Sequence, residues 1–141
     1  PLSDDGRDLM TPTAAVLREW EIDQVICSSA TRTSETARLL LASNHPAQEP
    51  VVTKDLYLAS PDAYARVAAE FADPDTSVLL MIGHNPGIAS LIWSLSQQAV
   101  SVPPGTAAVF QLDISDWMEL ADSAPRAIDL VALVVNGAKT R

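Results

Sequence analysis

The stretch Val78–Leu95, VLLMIGHNPGIASLIWSL, decides how this chain folds. An unbroken apolar run closes on Gly83, the polar pair His84-Asn85 and Pro86 follow, and a second apolar pattern begins. A short apolar run bounded by a breaker reads as a strand buried on both faces. Proline lacks a backbone N–H and has φ already set, so Pro86 suits the first position of a helix, here reaching about Ser96. A strand feeding directly into a helix is half of a parallel α/β unit. Polar residues at that junction lie at the strand's carboxyl end, where such folds hold their ligands.

Working outward, the same alternation repeats. Ser3 suits a helix cap, with Asp4 and Asp5 at the positive end. Leu9, Met10, Ala14, Val16, Leu17 and Trp20 then recur at mixed three- and four-residue spacings. Thr11-Pro12 is expected to kink this helix or to start a fresh one capped by Thr11. QVICSS is a β-branched strand, and Ala30 to Ser43 a helix with Ala37, Leu40 and Leu41 inward. NHPAQEP, which contains His45, is a loop, and VVTKD is a strand. Ser60-Pro61 caps and opens a helix to about Ala72. DPDTS is a turn, VPPGT a loop, TAAVFQLD a strand, DWMEL one helical turn and AIDLVALVV a last strand. The pattern αβ-αβ-αβ-αβ-β implies right-handed crossovers and a three-layer α/β/α fold around a mostly parallel sheet.

Composition narrows the function. The 141 residues suit one domain, and 48% hydrophobic with 19% charged residues is an ordinary globular balance. A formal charge of −9 argues against a nucleic-acid partner, which selects for clustered Lys and Arg. It does not exclude a small anion held in a local pocket, because distant charges are screened beyond a Debye length of about 10 Å. No apolar stretch approaches the ~20 residues of a membrane span, and nothing reads as a signal peptide. With one cysteine, Cys27, and hence no internal disulfide, a reducing cytoplasm is the expected compartment.

Two segments put chemistry at strand ends. His84, at the end of its strand, stands beside the free N–H groups of a helix start, a ready anion site; alternatively it caps or packs there. In CSSATRTSETARLL, Arg32 falls in the first turn of a helix, where a cation opposes the helix dipole unless an anion is near. Its planar fork suits phosphate or carboxylate; the other reading is a solvated arginine paired with Glu35 or Asp23. Ser28 and Ser29 either cap that helix or touch a ligand. Cys27 reads as a small buried hydrophobe, His45 as an exposed loop residue, and Trp20, Trp93 and Trp117 as core or rim. No Cys/His cluster, acidic metal spacing, GxGxxG or P-loop is present, so no metal or nucleotide cofactor is expected.

In order and spacing, PLSDDGRDLM, VICSSATRTSETARLL, LYLASPD, LLMIGHNPGIASLI and PPGTAAVFQLD resemble the SixA-type phosphohistidine phosphatases. These form a compact branch of the histidine phosphatase superfamily, which also contains the phosphoglycerate mutases. The resemblance implies a phosphoglycerate mutase-like fold and metal-independent hydrolysis of phosphohistidine, or of a small phosphoester, through a phosphohistidine intermediate. It matches Arg32 to an arginine that binds phosphoryl oxygens; Ser28 and Asn85 are the further expected substrate-binding residues. It matches His84 to a second histidine that stabilises the transition state. The family's nucleophile is a histidine in an Arg-His motif at the end of a first strand, which on this alignment lies upstream of PLSDDGR. The chain is therefore expected to be a single domain, residues 1–141, without that strand and its loop.

Many superfamily members also place an acid after the strand read here as VVTKD. Here Leu56, Tyr57, Leu58 and Ala59 follow, with Asp55 and Asp62 as fallbacks. Such a site suits a leaving group needing little protonation, such as imidazole. The expected partner is a phosphorylated protein or a small phosphorylated substrate. The alternatives are an inactive phosphate- or partner-binding domain, or a sugar-phosphate phosphatase or mutase of the superfamily.

Overall fold

A computed structural model of the chain describes residues 4–44, 49–103, 105–121, 129–135 and 138–139. Helices α1 (Asp4–Leu17), α2 (Thr31–Asn44), α3 (Pro61–Phe71) and α4 (Gly87–Ser96) alternate with strands β1 (Gln24–Ser28), β2 (Val51–Thr53), β3 (Leu79–Ile82) and β4 (Thr106–Gln111). Strands β5 (Asp129–Val135) and β6 (Ala138–Lys139) end the chain, and short 3-10 turns lie at Lys54–Leu56 and Trp117–Ala121.

The expected elements form, and the layers follow from the pleat of β1. Its successive side chains point to opposite faces. Val25 and Cys27 pack with Ala14 and Leu17 of α1 and Ala37 and Leu40 of α2. Ile26, pointing the other way, packs with Leu56, Tyr64 and Val67, joined by Ile88 and Leu91 of α4. Helices α1 and α2 thus cover one face of the sheet, and α3 and α4 the other.

Strand β1 is the centre of a parallel three-stranded sheet of order β2-β1-β3, with Ile26 opposite both Val51 and Met81. The last three strands form an antiparallel sheet of order β4-β5-β6, bulged at Val109/Phe110. Alternation along the chain does not announce that antiparallel meander. Ala107 and Val109 of β4 pack on the same core as α1 and α2, so both sheets share the middle layer. Among the described residues one edge of β3 and one edge of β4 have no strand partner, and both strands line a single cavity of about 1400 Å³.

Helix α1 runs through Pro12 as one element, so of the two outcomes expected there the fresh start at Thr11 does not occur. An interior proline costs about 3 kcal/mol. The turn beyond it offsets this by burying Thr13, Ala14 and Leu17 completely or nearly so, and the Thr13 hydroxyl donates to the Gly105 carbonyl at 2.6 Å. Helix α3 starts as its sequence predicts: the Ser60 Oγ accepts from the Ala63 N–H at 3.3 Å, with Pro61 first in the helix. His45, the loop histidine, lies outside the described residues. None of the described helices is long and apolar enough to cross a membrane.

Candidate active site

The carboxyl ends of the adjacent parallel strands β1 and β3 bring Ser28 and His84 together. Ser28 is the last residue of β1 and fully buried. Its Oγ lies 2.8 Å from the His84 Nε2. Thr33 secures this strand end, its hydroxyl donating to the Ser28 and Ala30 carbonyls at 2.7 and 2.8 Å. One helical position earlier, Arg32 is exposed to solvent and lines the same cavity as His84. Burial lowers the imidazole pKa below its ordinary value, and the Arg32 charge pushes it the same way. A neutral imidazole beside an arginine is poised to gain a proton when an anion enters.

Small residues bring the backbone close at this point. A Cβ on Gly83 would fall on the buried Tyr64 hydroxyl, which accepts from the His84 N–H at 3.3 Å. A Cβ on Gly87 would stand 2.5 Å from the Ala59 carbonyl oxygen, so α4 sits directly on the segment entering α3. Tyr64 is itself held neutral, its pKa raised chiefly by burial against a smaller opposing effect of that hydrogen bond.

Asn85 is next to His84, but its amide is engaged by backbone at both ends. Its Nδ2 donates to the Val102 carbonyl at 2.8 Å and its Oδ1 accepts from the Ala89 N–H at 3.2 Å. It caps α4 and ties the following loop to the site. The pairing of Arg32 with Asp23 does not form: Asp23 lies at the opposite end of β1, where its Oδ2 accepts from the Ser77 and Val78 N–H groups at 2.8 Å each. Asp55 and Asp62 are exposed, and neither lines the cavity. Cys27 is buried, and burial raises its thiol pKa, as its place inside the strand suggests.

One neighbour was not singled out from the sequence as a site residue. Tyr57 packs against His84 in an edge-to-face arrangement, ring centroids 5.4 Å apart and planes at 78°. The legible signal was position: LYLA falls between the carboxyl end of β2 and the capped start of α3, at the end of the sheet where ligands bind.

A parallel sheet between helix pairs, with histidine and arginine at neighbouring strand ends, defines an α/β protein with a candidate anion site. The model of the histidine phosphatase superfamily (branch 1) matches residues 1–57. Among solved structures, the chain resembles a protein described as a phosphohistidine phosphatase SixA from Nakamurella multipartitia. The two share 26% identity with a TM-score of 0.70, over 90% of this chain and 81% of that one. A protein histidine phosphatase SixA complexed with tungstate matches at 19% identity and TM-score 0.71, over 80% of this chain and 76% of its own. A SixA structure from Agrobacterium tumefaciens is similar in fold at 18% identity and TM-score 0.55, over 67% and 60% of the two chains. No curated protein matches the sequence. The chain's likeness is thus to the histidine phosphatase superfamily, and within it to the SixA-type proteins, as the sequence motifs anticipate.

Proposed function

We propose that this domain is a phosphatase for phosphohistidine, or for a small phosphoester with a good leaving group. The observation that carries this reading is the convergence of His84, Ser28 and Arg32 at the carboxyl ends of adjacent parallel strands, with His84 and Arg32 facing one cavity. Phosphoryl transfer depends mainly on positioning and on neutralising charge spread over the equatorial oxygens. Arg32 offers a bidentate fork for two oxygens. His84 takes up a proton as the anion binds and donates it to the oxygen facing it. Ser28 fixes the imidazole's orientation, and Asn85 holds the loop that carries it.

In this reading a second histidine attacks phosphorus, and the bond to the leaving group breaks with its electron pair going to that group. Water then attacks the phosphohistidine, the P–N bond breaks, and inorganic phosphate leaves. The resemblance puts that histidine at the end of a further strand of the sheet. The cavity between the free edges of β3 and β4 supports this. An extended segment laid along β3 and parallel to it would end beside His84 and Arg32.

The test is hydrolysis of an aryl phosphate by the full-length protein, with and without chelator and vanadate. Turnover that survives chelator, is inhibited by vanadate and falls at least tenfold in His84→Ala (about 1.4 kcal/mol of barrier) is expected. Phosphate binding without turnover would assign the domain to a binding role.

A further inference from the structure

Five large apolar side chains stand exposed among the described residues: Val52, Tyr57, Leu58, Trp93 and Met118. Only Tyr57 and Leu58 also line the cavity shared by His84 and Arg32. They are 60% and 68% exposed, although Leu56 before them is fully buried and Ala59 after them nearly so. Two consecutive outward side chains between two inward ones require a turned backbone, and Leu58 supplies it with a φ of 53°. That left-handed conformation is costly for a branched residue, about 1–2 kcal/mol, and persists where its surroundings fix it.

The surroundings here do so from both sides. Upstream, the Thr53 hydroxyl accepts from the Asp55 N–H at 3.1 Å, and the Tyr57 N–H donates to the Lys54 carbonyl at 3.0 Å. Downstream, the Ala59 carbonyl abuts Gly87 at the start of α4. The Tyr57-Leu58 tip is therefore a clamped apolar projection beside the phosphoryl-binding groups. Where an acid would serve an alkoxide leaving group, an aromatic ring stands against His84.

We infer that Tyr57, seconded by Leu58, is a specificity-determining residue whose ring packs against the leaving group, selecting planar ring systems such as imidazole or phenyl over alkyl groups. This rests on the phosphatase reading and deepens it. A ring leaving group has a flat apolar face to lay against Tyr57. An alkyl phosphate lacks that face, and neither Asp55 nor Asp62, the acids flanking this segment, lines the cavity.

Non-hydrolysable probes separate binding from chemistry. Calorimetric titration of the full-length protein with phenylphosphonate and methylphosphonate is expected to show the phenyl compound binding about tenfold more tightly. Tyr57→Ala should collapse that ratio to within about twofold, while Tyr57→Phe, which keeps the ring, preserves it. With an aryl phosphate substrate, Tyr57→Ala should raise KM about tenfold and change kcat less than threefold. Equal affinities in the parent protein, or a ratio that survives Tyr57→Ala, would overturn the assignment to Tyr57 and leave the phosphatase reading standing. Binding of neither phosphonate by the parent protein would overturn both.

Discussion

The two ends of β1 carry the same kinds of residue in opposite circumstances. At the amino end, Gln24 is buried and its amide is bonded at both ends. Its Nε2 donates to the Phe71 carbonyl, and its Oε1 accepts from the Asp73 N–H and the Thr76 hydroxyl, all within 2.9 Å. Asp23 caps the Ser77 and Val78 N–H groups, and the Trp117 indole N–H donates to the Thr76 carbonyl at 2.7 Å. Strand β1, the end of α3, the connection before β3 and the turn at Trp117–Ala121 are stitched together there by side chains bonded to one another and to backbone. At the carboxyl end, Ser28 and His84 meet each other, and Arg32 turns its charge toward solvent and the cavity. Burial of a polar residue therefore does not mark function on its own. What marks it is hydrogen-bonding capacity left over and aimed into a cavity.

The comparison breaks most readily on activity. Arg32→Ala should lower the aryl phosphatase rate of the full-length protein by about 10²–10³-fold, the usual cost of losing a transition-state donor. Its melting temperature should stay within about 2 °C, because the side chain is exposed. A loss below tenfold would move Arg32 out of the site. Gln24→Leu should do the reverse. Orphaning the Asp73 N–H and Phe71 carbonyl should cost about 3 kcal/mol of stability in urea unfolding, or roughly 6–12 °C in Tm. Phosphate affinity in that variant should hold within twofold; a functional deficit with unchanged stability would erase the distinction between the two ends.

Ser28→Ala sharpens the comparison at a smaller scale. Removing the partner of the His84 Nε2 should reduce the rate about three- to tenfold, near 1 kcal/mol, by loosening the imidazole. Smallest is a pH effect. The folded-state pKa of His84 is lowered, so the unfolded chain binds the proton more readily. The stability due to its neutral form is complete above the ordinary imidazole pKa of about 6.5 and is lost as pH falls from there through the lowered folded value. Added phosphate should raise the His84 pKa again, read from its ring proton chemical shift. A resonance that ignores phosphate would place the anion elsewhere.

Much of this was legible in the sequence because local signals and tertiary structure agree. The apolar run into Gly83, the Ser60-Pro61 cap and the strand end before Arg32 each state a local preference that packing confirms. At Pro12 the choice between a kink and a fresh start stayed open because the proline's penalty is local, whereas the Leu17 and Thr13 burial that carries the helix through is not. The pairing of β4 with β5 was invisible for a similar reason: partner choice is a long-range property, and helix–strand alternation carries no information about strand direction. Tyr57 was noticed only for not being an acid. Its contact with His84 depends on a left-handed Leu58 that no propensity predicts.

Cys27, the chain's one cysteine, sits at the centre of the parallel sheet with its thiol facing the α1–α2 core and its ionisation suppressed by burial. It takes no part in the proposed chemistry, which makes it a clock. A thiol reagent reaches it only when β1 separates from the helices above it, so the labelling rate under native conditions measures how often this layer opens. A phosphate analogue that ties β1 to β3 through Ser28 and His84 should slow that clock in proportion to its occupancy.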